Sequence, residues 1–67
     1  MLRIREIRRD KGISAAELAA AAGVNVVSIY RYEEGTREPS FNVMGKIAKT
    51  LGVKITELIA DETDKSA

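Results

Sequence analysis

Between positions 26 and 31, the side chains of Val26, Val27, Ser28, Tyr30 and Arg31 offer recognition chemistry rather than catalysis. Arg31 carries a planar fork of N–H donors that matches a guanine edge or clamps a phosphate. Ser28 and Tyr30 present hydroxyls suited to phosphates or base edges. Val26 and Val27 present apolar surface that suits a thymine methyl group or a protein contact, although exposed valines are also simply common. Catalysis has no comparable set. The 67 residues include no cysteine and no histidine, which excludes disulfides, the common zinc-ligand sets and imidazole chemistry. No glycine-rich phosphate loop or nucleophile–base pair is present. The neighbouring carboxylates Glu33 and Glu34 point to different sides of a helix and do not flank one substrate. The expectation is a non-enzymatic protein with no cofactor, no metal and no small-molecule ligand.

Two short helical patterns hold those residues. Leu18, Ala19 and Ala22 mark one face of the first, and Val26, Ile29 and Tyr32 or Glu33 mark one face of the second. The joint, Gly23-Val24-Asn25, is short enough only for a tight turn. Gly23 is suited to the positive φ that ends a helix, Val24 to plugging the corner and Asn25 to capping the helix that follows. Ala19 faces the turn, where a larger side chain would hold the helices apart. Helix, glycine turn and helix at this spacing form the helix-turn-helix signature.

The remainder of the chain supports that pair. Leu2–Lys11 reads as helix 1, with Ile4 and Ile7 inward and Gly12 ending it. Ser14 with Glu17 three positions on is a capping box opening an alanine-rich helix 2. Helix 3 runs from about Val26 to Glu34 and stops at Gly35. Thr36–Pro39 is a loop, and Ser40 caps helix 4, Phe41–Leu51. That helix is predicted to bury Phe41, Met44, Ile47, Ala48 and Leu51 on one face. Val53, Ile55, Leu58 and Ile59 fit a short helix 5, with Lys54 where a small capping residue is expected. Residues 61–67 are polar and without periodicity. The reading is an all-α, five-helix bundle over residues 1–60, with 61–67 a tail or the start of a linker.

Charge is distributed more tellingly than its total of +1. Residues 1–11 carry five basic and two acidic side chains, and residues 36–54 carry four basic and one acidic. Folded onto one face, those basic ends would suit phosphate contact; a solvated mixed-charge surface is the plainer alternative. No apolar run approaches the roughly 20 residues of a membrane span, so the expected location is the cytoplasm.

The chain resembles the phage lambda-type repressor and Cro superfamily of helix-turn-helix domains, the Xre family. The resemblance covers Ile4 to about Ile59. It rests on Lys11-Gly12-Ile13-Ser14, Glu17-Leu18-Ala19, Gly23-Val24, Ser28-Ile29, Tyr32-Glu33-x-Gly35, Glu38-Pro39-Ser40 and Lys46-Ile47-Ala48-Lys49-x-Leu51-Gly52-Val53. Each piece is weak alone; all of them in this order are specific. The resemblance implies five helices with helix 3 in the DNA major groove, a homodimer on a near-palindromic operator, and transcriptional regulation, often repression. It implies base reading by Val26, Val27, Ser28, Tyr30 and Arg31. Phosphate contacts fall to Arg8, Ser14, Gly35, Thr36, Arg37 and Ser40, where Gly35 lets the backbone approach closely and Ser40 opens a helix. It also implies an internal ion pair between Arg8 and Glu33, with Arg8 serving both roles.

Two positions depart from the family pattern. Ala15 stands where many members carry a phosphate-binding glutamine, and Val26 and Val27 stand where polar residues commonly read bases. Lys46 and Lys49 are expected to be solvated, and Glu57, Asp61, Glu62 and Asp64 to face away from DNA. Ile55 and Ile59 on helix 5 are the candidate dimer contact, with core packing an equal alternative. The competing function is a protein-interaction module, of antitoxin or anti-repressor type, whose valine pair meets protein. A third reading makes the chain the DNA-binding part of a longer regulator.

Overall fold

Five helices follow one another along residues 2–59, the part of the chain that the computed structural model describes. They are α1 (Ile4–Asp10), α2 (Ala15–Ala22), α3 (Val26–Glu34), α4 (Phe41–Leu51) and α5 (Ile55–Leu58). The tail expected at 61–67 lies outside the described residues. Each helix sends one large aliphatic side chain fully into a common centre: Ile4, Leu18, Ile29, Ile47 and Leu58. Burying a side chain of that size stabilises by about 1.5–3 kcal/mol. Ala15, Ala19 and Ala22 complete the buried face of α2. Their small side chains let α2 pack against both α3 and α4.

The helix boundaries of the middle of the chain follow local capping. Ser14 Oγ accepts from the Glu17 backbone N–H at 3.0 Å while Glu17 Oε1 accepts from the Ser14 N–H at 2.9 Å, which completes the capping box. The Ser14 backbone N–H first, and the Ser14 hydroxyl second, hold the Glu17 carboxyl below its ordinary range. Asn25 Oδ1 accepts from the Val27 N–H at 2.8 Å, and Ser40 Oγ accepts from the Val43 N–H at 3.2 Å. Gly23 takes φ 72° and closes α2, with the Val24 N–H donating back to the Ala19 carbonyl at 3.0 Å. Val24 is partly buried against the core and plugs its turn as expected, and Ile13 after α1 is partly buried as well.

The ends of the chain are arranged differently. α1 starts at Ile4 rather than Leu2, because Leu2 pairs with Ile59 in an isolated antiparallel bridge. The Arg3 N–H donates to the Leu58 carbonyl beside it, at 2.6 Å. The same bridge takes Ile59 out of helix 5 and into an extended conformation. Lys54 opens α5 without a side-chain cap.

The structure overturns the expectation for Phe41, which is 80% exposed. The buried face of α4 is Ile47, Ala48 and Leu51, flanked by partly buried Val43 and Met44. Phe41 is the first residue of α4, a turn before the point that α5 reaches: Ile55 Cδ1 lies 3.9 Å from where a Gly45 Cβ would sit. That separation is ordinary van der Waals contact, and no steric demand explains the glycine.

Candidate nucleic-acid interface

The turn at Gly23–Asn25 sets α3 across α2 and leaves one side of α3 in solvent. Ile29, Tyr32 and Glu33 are its buried residues. Val27 and Tyr30 are 49% and 47% exposed, large apolar surface on the opposite side. Arg31 and Glu34 are exposed beside them, since residues 27, 30, 31 and 34 share a face at helical spacing. The valine pair divides: Val26 is partly buried against the core, and Val27 is the more exposed of the two. A thymine-methyl contact would therefore fall mainly to Val27. Ser28 is half-buried.

The loop after α3 folds back onto the helix it leaves. The Arg31 carbonyl accepts from the backbone N–H groups of Gly35 at 3.0 Å and Thr36 at 3.1 Å, and from Thr36 Oγ1 at 3.3 Å. Both donors of Thr36 thus point into the chain, which leaves its hydroxyl oxygen as an acceptor only. The expected donation from Thr36 to a phosphate requires those bonds to break. Gly35, at φ 83°, provides the left-handed turn that makes this return possible. Arg37 is exposed and, like Arg31, enters no ion pair among the described residues. Ser14 and Ser40 are exposed, and each uses its hydroxyl oxygen as a cap acceptor; Ser40 keeps its proton to donate, whereas the Ser14 hydroxyl also bonds the Glu17 carboxylate. Ala15 is buried and belongs to the packing under α2 rather than to its outer surface.

Beneath this surface sits the predicted ion pair, with a member the sequence reading missed. Glu33 is the buried charged residue among those described, and its carboxylate is wholly enclosed. Arg8 Nε donates to Glu33 Oε2 at 2.8 Å and Nη2 to Oε1 at 3.4 Å. Arg8 Nη1 donates to the Ile13 carbonyl at 3.1 Å, so one guanidinium ties α1 to α3 and to the entrance of α2. Arg5 Nε also donates to Glu33 Oε1, at 3.3 Å. The signal for Arg5 was its place three residues before Arg8, on the same side of the helix. A buried carboxylate without partners would be strongly destabilising, so the arrangement fixes the later half of α3 to the scaffold.

Of the candidate dimer residues, Ile55 is partly buried against the core, whereas Ile59 is 47% exposed beside Leu2. A groove of about 280 Å³ lies between Leu2, Ile59, Met44 and the loop residues 37–39. None of the described helices is long and apolar enough to cross a membrane. Among the described residues no group of acidic side chains has metal-binding geometry.

Residues 4–58 match the model of a protein family described as helix-turn-helix. The chain is 36% identical over 59 residues to a cryptic phage CTXphi transcriptional repressor, RstR, of Vibrio cholerae, covering 88% of this chain and 53% of that protein. It is 30% identical over 57 residues to the HTH-type transcriptional regulator DdrOP3 of Deinococcus deserti, covering 85% and 44%. With the HTH-type transcriptional regulator SlrR of Bacillus subtilis it shares 38% identity over 61 residues, covering 90% and 40%. The chain thus spans about half the length, or less, of these relatives.

Proposed function

Because the chain belongs to the helix-turn-helix family of the lambda-repressor and Cro type, we propose that it binds double-stranded DNA sequence-specifically as a transcriptional regulator, and as a repressor in particular. The observation that carries this is the exposed face of α3, where Val27, Tyr30 and Arg31 stand together on a helix that the buried Glu33, on its inner flank, locks to the scaffold. In the proposed mode α3 lies in the major groove and α2 crosses the backbone above it. Val27 meets thymine methyl groups, while Arg31 and Tyr30 reach base edges or the flanking phosphates. Arg37, Ser14 and Ser40 hold the backbone on either side.

Binding as a two-fold dimer to a near-palindromic operator completes the proposal. One domain of net charge +1 gains little from long-range attraction to DNA. Two copies read twice the sequence with the same surface.

Selection of bound duplexes from a random pool, followed by titration of the selected sequence at two salt concentrations, tests this reading. A two-fold-symmetric motif bound far more tightly than random DNA is the expected result. Affinity confined to the non-specific range of about 10⁻⁴–10⁻⁶ M, with no motif, would overturn it. Arg31→Ala then sorts the contact. It should relax base preference at one position if Arg31 reads guanine. If Arg31 holds phosphate, it should weaken binding evenly and reduce the salt slope by about one unit.

A further inference from the structure

We infer that Arg5, rather than Arg8, is the phosphate-gripping arginine of α1, and that the buried Glu33 carboxylate is what aims it. The inference rests on the DNA-binding reading above and adds a residue to its surface. Both arginines share Glu33, but their situations differ. Arg8 is 11% exposed, and Nε, Nη1 and Nη2 all have acceptors within the protein, two on Glu33 and one on Ile13. It already supplies the positive charge that an enclosed carboxylate needs. Little of its guanidinium is left for an outside anion.

Arg5 is 49% exposed and makes a single contact, from Nε to Glu33 Oε1 at 3.3 Å. A guanidinium carries five N–H donors, so the four on Nη1 and Nη2 remain without a protein acceptor among the described residues. Anchoring at Nε restrains the plane of the group, while half of the side chain stays open to solvent. The far end of the fork is the edge that grips two oxygens of one phosphate. Charge points the same way. One carboxylate between two guanidiniums leaves the cluster with an excess of one positive charge. The neighbouring Arg3, by contrast, is paired with Glu6 at 2.6 Å.

The place in the fold also fits. Glu33 lies in the last turn of α3, one residue from exposed Glu34 and three from exposed Tyr30. Arg5 therefore borders the edge of the α3 surface proposed to enter the groove, where the sugar–phosphate backbone would run. Fixing a donor before DNA arrives reduces the side-chain entropy lost on binding.

The test is the salt dependence of binding to one duplex, for the whole chain and for Arg5→Ala and Arg5→Lys. Arg5→Ala should leave thermal stability nearly unchanged, weaken binding several-fold at low salt, and flatten the plot of log K against log salt by about one unit. Arg5→Lys should keep the slope, since its charge remains, while losing affinity with the fork. An unchanged slope in Arg5→Ala, with normal binding by the parent chain, overturns the assignment alone. A parent chain that fails to bind DNA at low salt removes the DNA reading and this inference together. Loss of the fold in Arg5→Ala would make Arg5 a structural partner of Glu33, and would overturn it too.

Discussion

The middle of the chain and its two ends are stabilised by different means. α2, α3 and α4 each begin at a side-chain cap, Ser14, Asn25 and Ser40, whose bond partners lie within three residues. α1 and α5 have no side-chain cap at Arg3 or Lys54. They depend on contacts from far along the chain: Leu2 with Ile59, Arg3 with Leu58, and Arg5 and Arg8 with Glu33. The difference teaches where each part draws its order. The helix-turn-helix is specified locally and then docked. The flanking helices are only four and seven residues long, too short to persist alone in water, and are held by what they touch.

The sharpest way to break that contrast is to remove a long-range contact. Arg8→Ala leaves the enclosed Glu33 carboxylate with only the single Arg5 contact, and should cost about 3 kcal/mol, towards the low end of the usual range for breaking a buried pair. Urea denaturation should show it as a large fall in midpoint with an unchanged slope. A loss no larger than that of an exposed pair would mean that the ends are not held through Glu33.

Removing a local contact should do less. Ser14→Ala deletes the cap of α2 and should cost about 1 kcal/mol, again read by urea denaturation. The same box carries a pH dependence. The Glu17 carboxyl is held below its ordinary value in the folded chain by the Ser14 N–H and hydroxyl. It therefore binds its proton less readily when folded than when unfolded. Its contribution is present above the ordinary carboxylate value and is lost as the pH falls through the lowered folded value. Glu17→Gln should flatten that acid limb of a melting-temperature profile, and Ser14→Ala, which keeps the backbone N–H, should flatten it only in part.

The smallest effect sharpens the comparison by giving an end what the middle has. Lys54 already holds the extended backbone of a capping residue, at φ −81° and ψ 153°, and Glu57 stands three positions on. Lys54→Ser creates a second capping box and should stabilise by roughly 0.5 kcal/mol. A rise of a few degrees in melting temperature is the expected reading for a domain of this size. No rise would mean that tertiary contacts already saturate the order of α5.

Much of the molecule is legible in its sequence because its cues are local. The capping box, the glycine turn and the alanine face of α2 all concern residues within one or two turns of one another, so a linear pattern contains the whole interaction. The same applies to the exposed side of α3, which periodicity assigns to Val27, Ser28, Tyr30 and Arg31, although Ser28 is half-buried in the fold. Phe41 shows the limit: its spacing agrees with the apolar face of α4, but burial needs a covering element, and Phe41 stays exposed without one. Val26 shows a divided reading: its spacing puts it on the face of Ile29, its apolar side chain suits base reading, and the core partly covers it.

The sequence by itself determined the number and order of the helices, most of their caps and turns, and most of the side of α3 that stays exposed. It also placed Arg8 opposite Glu33 by likeness to related repressors. Only the tertiary structure decided that Arg5 joins them, that Thr36 turns its donors inward, and that the two termini meet in a bridge. Each of those depends on distances between residues remote in sequence or on competition among donors for one acceptor. A pattern of residue types records neither, because side chains choose partners only after the helices have packed.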